Sequence, residues 1–184
     1  MQSRIGIRNG CPRSMTVMLG LQTYIHHCGL EQPLLELVKV RASHIDGCAY
    51  CVDMHTKDAR AGGKTEQRLY AVTICEDTPF FTERERAALA WTEAVTLVGN
   101  DYVPDEIYQQ ARRSFSEKEL VDLTLAIIAI NGWNRLAVNF RVVLGSYHPL
   151  HRSMSWLHQE SPSHKSEQSM RQMYQKARRN VSAA

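Results

Sequence analysis

Residues 36–55 read ELVKVRASHIDGCAYCVDMH, and this stretch decides both the fold and the chemistry of the chain. Cys48 and Cys51 stand three apart, His55 follows four residues later, and Glu36 lies twelve residues before the first cysteine. Asp46-Gly47 is a turn or helix-start signal, so a new helix is expected to begin at Cys48 and to end at Gly62-Gly63. Such a helix sets Cys48, Cys51 and His55 at i, i+3 and i+7, on one face within two turns. Cysteines at that spacing have Cα atoms roughly 5 Å apart, inside the range of about 4.4–6.8 Å that a disulfide tolerates. The pair can therefore open and close without unfolding the helix.

A thiol is a nucleophile only as the thiolate, and a helix N-terminus, a nearby histidine and a second sulfur all favour that form. With Cys51 and His55 at i and i+4, the imidazole can accept the thiol proton, the usual pairing of nucleophile and base. Glu36, from the preceding helix, can orient His55 or relay a proton directly or through water. The main rival is a zinc site of Cys48, Cys51, His55 and His44. On one continuous helix residues 44–55 would span roughly 16 Å, too far to converge on one tetrahedral ion. A break at Asp46-Gly47, or a ligand from His26 or His27, would be needed. A blander alternative is two cysteines buried as small hydrophobes. Cys11, Cys28 and Cys75 are isolated in sequence and are expected to serve packing in the same way.

Outward from this stretch, helix signals continue in both directions. Met15, Met18, Leu19, Leu21 and Ile25 repeat at three and four and predict a helix over 15–28, closed by Gly29. Pro33 opens the next, through to about Ile45. Thr65 caps a helix over 66–75, and Thr82 with Glu85 forms a capping box before ERERAALAWTEAV. Pro104 introduces a short polar helix to about Phe115. A second capping box, Ser116 with Glu119, opens the longest helix, from Glu117 to about Val143, with Gly132 as a candidate bend. No segment alternates with period two long enough to make a strand, so the fold class is all-α.

The length of 184 residues suits one domain with a full core. We divide it into a helical domain over 1–144 and a basic C-terminal tail over 145–184, in which Ser166–Asn180 can form a basic amphipathic helix. The tail carries a net +4 of the chain's +3, leaving the body at −1, which argues against nucleic-acid binding by the folded part. The uncharged apolar run between Asp122 and Arg135 is about half of the roughly 20 residues a membrane span needs, so no membrane association is expected. No signal-peptide core follows Arg4, Arg8 and Arg13, and five cysteines cannot all pair within one chain, which together predict a cytoplasmic protein with reduced thiols.

Three separated motifs carry a resemblance. Residues 36–63, with ELVKVRAS, CAYC, His55 and the DARAGG ending, then ERERAALAWTEAV at 83–95 and AIIAINGWNRLAV at 126–138, together resemble the alkylhydroperoxidase D-like branch of the carboxymuconolactone decarboxylase superfamily. The match covers roughly residues 15–142. The resemblance implies a compact multi-helix subunit with its CxxC at a helix N-terminus, assembling as a trimer or hexamer. It implies a thiol peroxidase without metal or cofactor, acting on a hydroperoxide and restored by an external dithiol, thioredoxin-like or lipoyl. By position Cys51 corresponds to the peroxidatic cysteine, Cys48 to the resolving one, and Glu36 and His55 to a proton relay. One departure is Tyr50, where the best-defined hydroperoxidases tend to carry a histidine. Trp133, Asn134 and Arg135 match a family motif, and an Asn or Arg on a central helix more often ties helices together than performs chemistry.

Overall fold

Local capping sets most element boundaries in the computed structural model, which describes residues 2–145 and 147–149. In chain order these are α1 (Pro12–His27), α2 (Gln32–Ile45), α3 (Ala49–Ala61), α4 (Glu66–Ala71), α5 (Glu83–Thr96), α6 (Asp105–Ser114) and α7 (Glu117–Phe140). Single turns at Ile7–Gly10 and Val98–Asp101 and a 3-10 segment at Val72–Asp77 complete them. Among the described residues there is no strand, and the protein is all-α. Both capping boxes are formed: the Thr82 and Ser116 hydroxyls accept from the backbones of Glu85 and Glu119, whose carboxylates bond back to the cap N–H groups.

Two helix ends and one expected bend differ from the sequence reading. The segment after Thr65 tightens from α to 3-10 geometry at Val72, with a break at Ile74 (φ −125°), so the expected continuous helix to Cys75 is two pieces. The longest helix stops at Phe140, short of Val143, because Arg141 takes the left-handed conformation (φ 54°) and Val142 N–H returns to the Ala137 carbonyl. Gly132 lies within the uninterrupted α7, and a Cβ there would come within 3.0 Å of the Met18 side chain. Its role is close approach of α1. Cys75 and half-buried Cys28 pack as expected, whereas Cys11 is exposed at the start of α1.

The core forms where α2, α5 and α7 meet. Leu34, Leu35 and Val38 of α2 pack with Ala87, Ala88 and Trp91 of α5 and with Leu123 and Ile127 of α7. α3 lies against α2 and α7, and a separate apolar group, Ala42, Cys48, Cys51, Ile130 and Ala137, fills that junction. α7 is the one described helix long and apolar enough to cross a membrane by length and composition. Here its inner face is core, and its buried Asp122 is tied to the Tyr24 hydroxyl (2.8 Å) and to Lys118 (2.6 Å). The compact unit containing these helices extends to Pro149. Of the tail assigned to 145–184, all but residues 145 and 147–149 lies outside the described residues, as does the Ser166–Asn180 segment that could form a basic helix.

Two substitutions test this assignment of core and cap. Leu123→Ala, at a site with no exposed surface, is expected to lower unfolding free energy by about 3 kcal/mol through lost burial and a residual cavity. Ser116→Ala should cost about 1 kcal/mol by uncapping α7. Denaturant unfolding monitored by helical circular dichroism measures both.

Candidate active site

The thiol pair is built on the turn joining α2 to α3. Asp46 N–H donates to the Ala42 carbonyl (2.9 Å), Gly47 N–H to that of His44 (3.2 Å) and Cys48 N–H to that of Ser43 (2.9 Å). The turn thus satisfies the carbonyls that α2 would otherwise leave unpaired. Gly47, at φ +65°, supplies the left-handed step that lets the chain reverse. Cys48 is left as the N-cap of α3, and its Sγ accepts the Cys51 N–H at 3.4 Å, where a serine or aspartate oxygen usually sits.

Cys51, one turn on, faces the same way, and the two cysteines approach to 2.8 Å as free thiols. Each is only 1% exposed, sealed by Ala42, Ile130 and Ala137 with Tyr50, Trp133 and Val142 beside them. Their acidities separate. The hydrogen bond from the Cys51 thiol pulls Cys48 down to about 7, helped by the backbone amides of Cys51 and Tyr50, against the opposing effects of burial and the Asp46 carboxylate. Cys51, holding the shared proton, is pushed up by that same bond, by burial and by the neighbouring sulfur. The surroundings therefore favour negative charge on Cys48 and the proton on Cys51.

His55 and Glu36 form a second group on the same helix pair. His55 is 7% exposed, and its Nδ1 lies 3.3 Å from Glu36 Oε2. Burial alone would raise the Glu36 carboxyl, but the hydrogen bond with His55 and the Lys39 ammonium, 2.8 Å from Oε1, outweigh it and hold it down at about 2. Asp58 Oδ2 stands 4.0 Å from the same Nδ1. Its other oxygen, Oδ1, accepts the Tyr147 hydroxyl at 2.6 Å, and Lys57 Nζ donates to the Tyr147 carbonyl at 3.1 Å. Burial pushes the Asp58 carboxyl up, and burial together with Asp58 pushes the Tyr147 phenol up.

All four residues singled out in the sequence thus lie on the facing helices α2 and α3 and the turn between them, but as two groups. No hydrogen bond joins His55 to either sulfur among the described residues, so a proton passing between them needs a water or a substrate oxygen in between. The zinc arrangement of Cys48, Cys51, His55 and His44 does not form. Among the described residues the metal-competent grouping is Glu36, His55 and Asp58, with ligand atoms within 4.8 Å of one another, and it contains no sulfur. Lys39 already supplies to that grouping the positive charge an ion would bring.

Three members of the second group are additions to the sequence reading. Lys39 follows Glu36 by three and Asp58 follows His55 by three, so helical spacing held a signal for both. Tyr147 comes from 89 residues beyond Asp58, in the segment assigned to the tail, and nothing local marks it.

Comparison with known proteins agrees with the architecture. The carboxymuconolactone decarboxylase family model matches residues 12–94. The uncharacterized protein YdfG of Bacillus subtilis is 38% identical over 138 residues, covering 75% of this chain and 94% of its own. A solved Agrobacterium tumefaciens protein of unknown function, provisionally described as an antioxidant defence protein AhpD, superposes with a TM-score of 0.75 at 41% identity, over 81% of this chain and 99% of its own. The debrominase Bmp8 shares the fold at 19% identity, with a TM-score of 0.64 over 73% of each chain. Helix order, the capped cysteine turn and these relatives converge: the chain belongs to the carboxymuconolactone decarboxylase family, in its alkylhydroperoxidase D-like branch.

Proposed function

We propose that the protein is a thiol-dependent peroxidase that reduces hydroperoxides by cycling the Cys48–Cys51 pair between dithiol and disulfide. The observation that carries this reading is the pair itself: two free, buried cysteines that approach to 2.8 Å at a helix N-terminus. Cys51 gives up its proton to the relay, its thiolate attacks the distal peroxide oxygen, the O–O bond breaks, and the alkoxide leaves as alcohol after taking that proton from His55, whose imidazole the charged Glu36 holds. Cys51 is then a sulfenic acid. Cys48 attacks its sulfur, forming the disulfide and releasing water. An external dithiol, thioredoxin-like or lipoyl, reduces the disulfide and is itself oxidised. The proposal extends to a cytoplasmic homo-oligomer, a trimer or hexamer, supported by the family resemblance.

Attack by Cys51 follows from family position and from the i+4 spacing of His55. The hydrogen bonds at the helix start favour the exchanged roles, since they draw negative charge toward Cys48. Two thiols this close lose their first proton as a unit. For Cys51 to attack, its proton must first pass to Cys48 or to the relay.

Side-by-side variants decide the roles. Reduced protein exposed to cumene hydroperoxide is expected to lose two thiols per chain, and Cys48→Ser should accumulate a dimedone-trappable sulfenic acid at Cys51 while Cys51→Ser stays inert. The opposite pattern assigns attack to Cys48, and no thiol loss in the wild type overturns the peroxidase reading. Insulin reduction outpacing peroxide consumption would instead make the protein a dithiol oxidoreductase.

The pH dependence is fixed in sign. Because Cys48 is drawn down to about 7, the reactive thiolate is lost as pH falls through that value and retained above it. Iodoacetamide alkylation of the pair should therefore rise with pH through a midpoint of about 7 and level off near pH 8.5, where an ordinary thiol is only about half ionised.

A further inference from the structure

We propose that Asp46, pinned by Asn134 and partly neutralised by Arg135, is a positioning residue that sets the charge of the Cys48–Cys51 pair from the far side of the turn. The inference deepens the peroxidase reading, because the charge on the pair governs its reactivity. It begins from a buried amide that the chemistry described above leaves unused. Asn134, on the central helix α7, has no exposed surface. Its Nδ2 donates to Asp46 Oδ2 at 2.9 Å, and its Oδ1 accepts the hydroxyl of equally buried Ser43 at 3.1 Å. Ser43 in turn accepts the Cys48 N–H through its carbonyl, at 2.9 Å. One amide side chain thus holds both ends of the turn from which Cys48 projects. Arg135 approaches the same Asp46 oxygen at 3.3 Å from the solvent side, and Asp46, Asn134 and Arg135 line a small cavity of about 160 Å³.

The groups packed around Cys48 leave Asp46 as the charge that acts on it. Ala42 of α2, Ile130, Trp133 and Ala137 of α7, and Val142 beyond it are apolar, Tyr50 of α3 brings a phenol, and Cys51 is the proton-sharing partner. A carboxylate two residues before the N-cap opposes the helix amides that draw negative charge onto the sulfur, and it raises both thiols. Arg135 offsets part of that opposition, weakened because its side chain is 58% exposed and screened by solvent. The turn therefore carries a balance: amides pull the pair toward thiolate, Asp46 pushes it back, and Arg135 moderates the push.

The test is the thiolate titration of the full-length reduced protein, followed by absorbance at 240 nm and by iodoacetamide rate, in Asp46→Asn, Arg135→Met and the double variant. Asp46→Asn keeps an acceptor for Asn134 while removing the charge. Its midpoint is expected to move down by about half a pH unit, a roughly threefold gain in thiolate on the acid side. Arg135→Met is expected to move it up, by roughly 0.3 unit. Damage to the turn would shift both variants the same way, so opposite shifts carry the proposal, and shifts of one sign or none overturn it. The double variant should titrate like Asp46→Asn if Arg135 acts through Asp46. A double variant midway between the singles shows Arg135 acting on the sulfurs directly and overturns that part. If Asp46→Asn fails to hold wild-type circular dichroism, Arg135→Met and Arg135→Lys decide alone, with Lys restoring the wild-type midpoint. The titration needs no peroxide, so absence of peroxidase activity with the shifts intact rejects only the function proposed above, and activity without the shifts rejects only this inference.

Discussion

Everything distinctive in this protein depends on a sulfur standing where a helix cap is normally oxygen. Cys48 Sγ takes the Cys51 N–H at 3.4 Å, and the start of α3 is directed at it. An N-cap acceptor offsets unpaired amides and the positive end of the helix, an environment that rewards negative charge. Burial works the other way, since a thiolate taken out of water is penalised. The outcome, Cys48 drawn down to about 7, shows that local hydrogen bonds outweigh burial at this sulfur. At Cys51, which donates the shared proton and gains no cap, the same burial reinforces the opposite shift. One geometric asymmetry, cap against third helical residue, separates two chemically identical groups.

A parallel separation is written into the carboxylates around His55. Glu36 and Asp58 both face Nδ1, at 3.3 Å and 4.0 Å, yet their carboxyls are shifted in opposite directions. Glu36 has Lys39 within 2.8 Å and stays charged, while for Asp58 burial dominates over the Tyr147 hydrogen bond and raises the carboxyl. Pairs of titratable groups pushed apart by their surroundings are the usual basis for dividing proton-holding from proton-moving roles. Lys39 is essential to this arrangement: without it, a buried imidazole would be left between two carboxylates with no cation to balance them.

What the sequence made legible was local. The two capping boxes, Gly47 at the turn, and the helix start at Cys48 are each encoded within a few residues, and each is found in the structure. The less legible features fall into two kinds. Some are local but lack a marker: Arg141 closes α7 in a left-handed conformation without a glycine, so the helix read on toward Val143. Others are long-range. Asp46 meets Asn134 across 88 residues and Asp58 meets Tyr147 across 89, and no periodicity on either segment names its partner. Asn134 was recognised as a helix-tying residue from its motif, but which turn it tied was a property of packing. Glu36 and His55 meet at 3.3 Å, and the imidazole, read from its i+4 spacing as beside Cys51, bonds to Glu36 and to neither sulfur.

Burial of the sulfurs constrains how they can be used. With each cysteine 1% exposed, behind Tyr50, Trp133 and Val142, a thiolate there is shielded from bulky electrophiles as well as from water. A hydroperoxide presents its reactive oxygen at one end and needs only a narrow approach, whereas a protein disulfide must bring two sulfurs and their backbone into line with the attacking thiolate. A disulfide formed in the proposed cycle would meet the same barrier from its reductant, and a dithiol on a long flexible arm would pass it more easily than a thiol fixed on a folded surface. Val142 is the first residue past the left-handed Arg141, its N–H bonded back to the Ala137 carbonyl, so the way α7 ends fixes one of the side chains packed against the sulfurs.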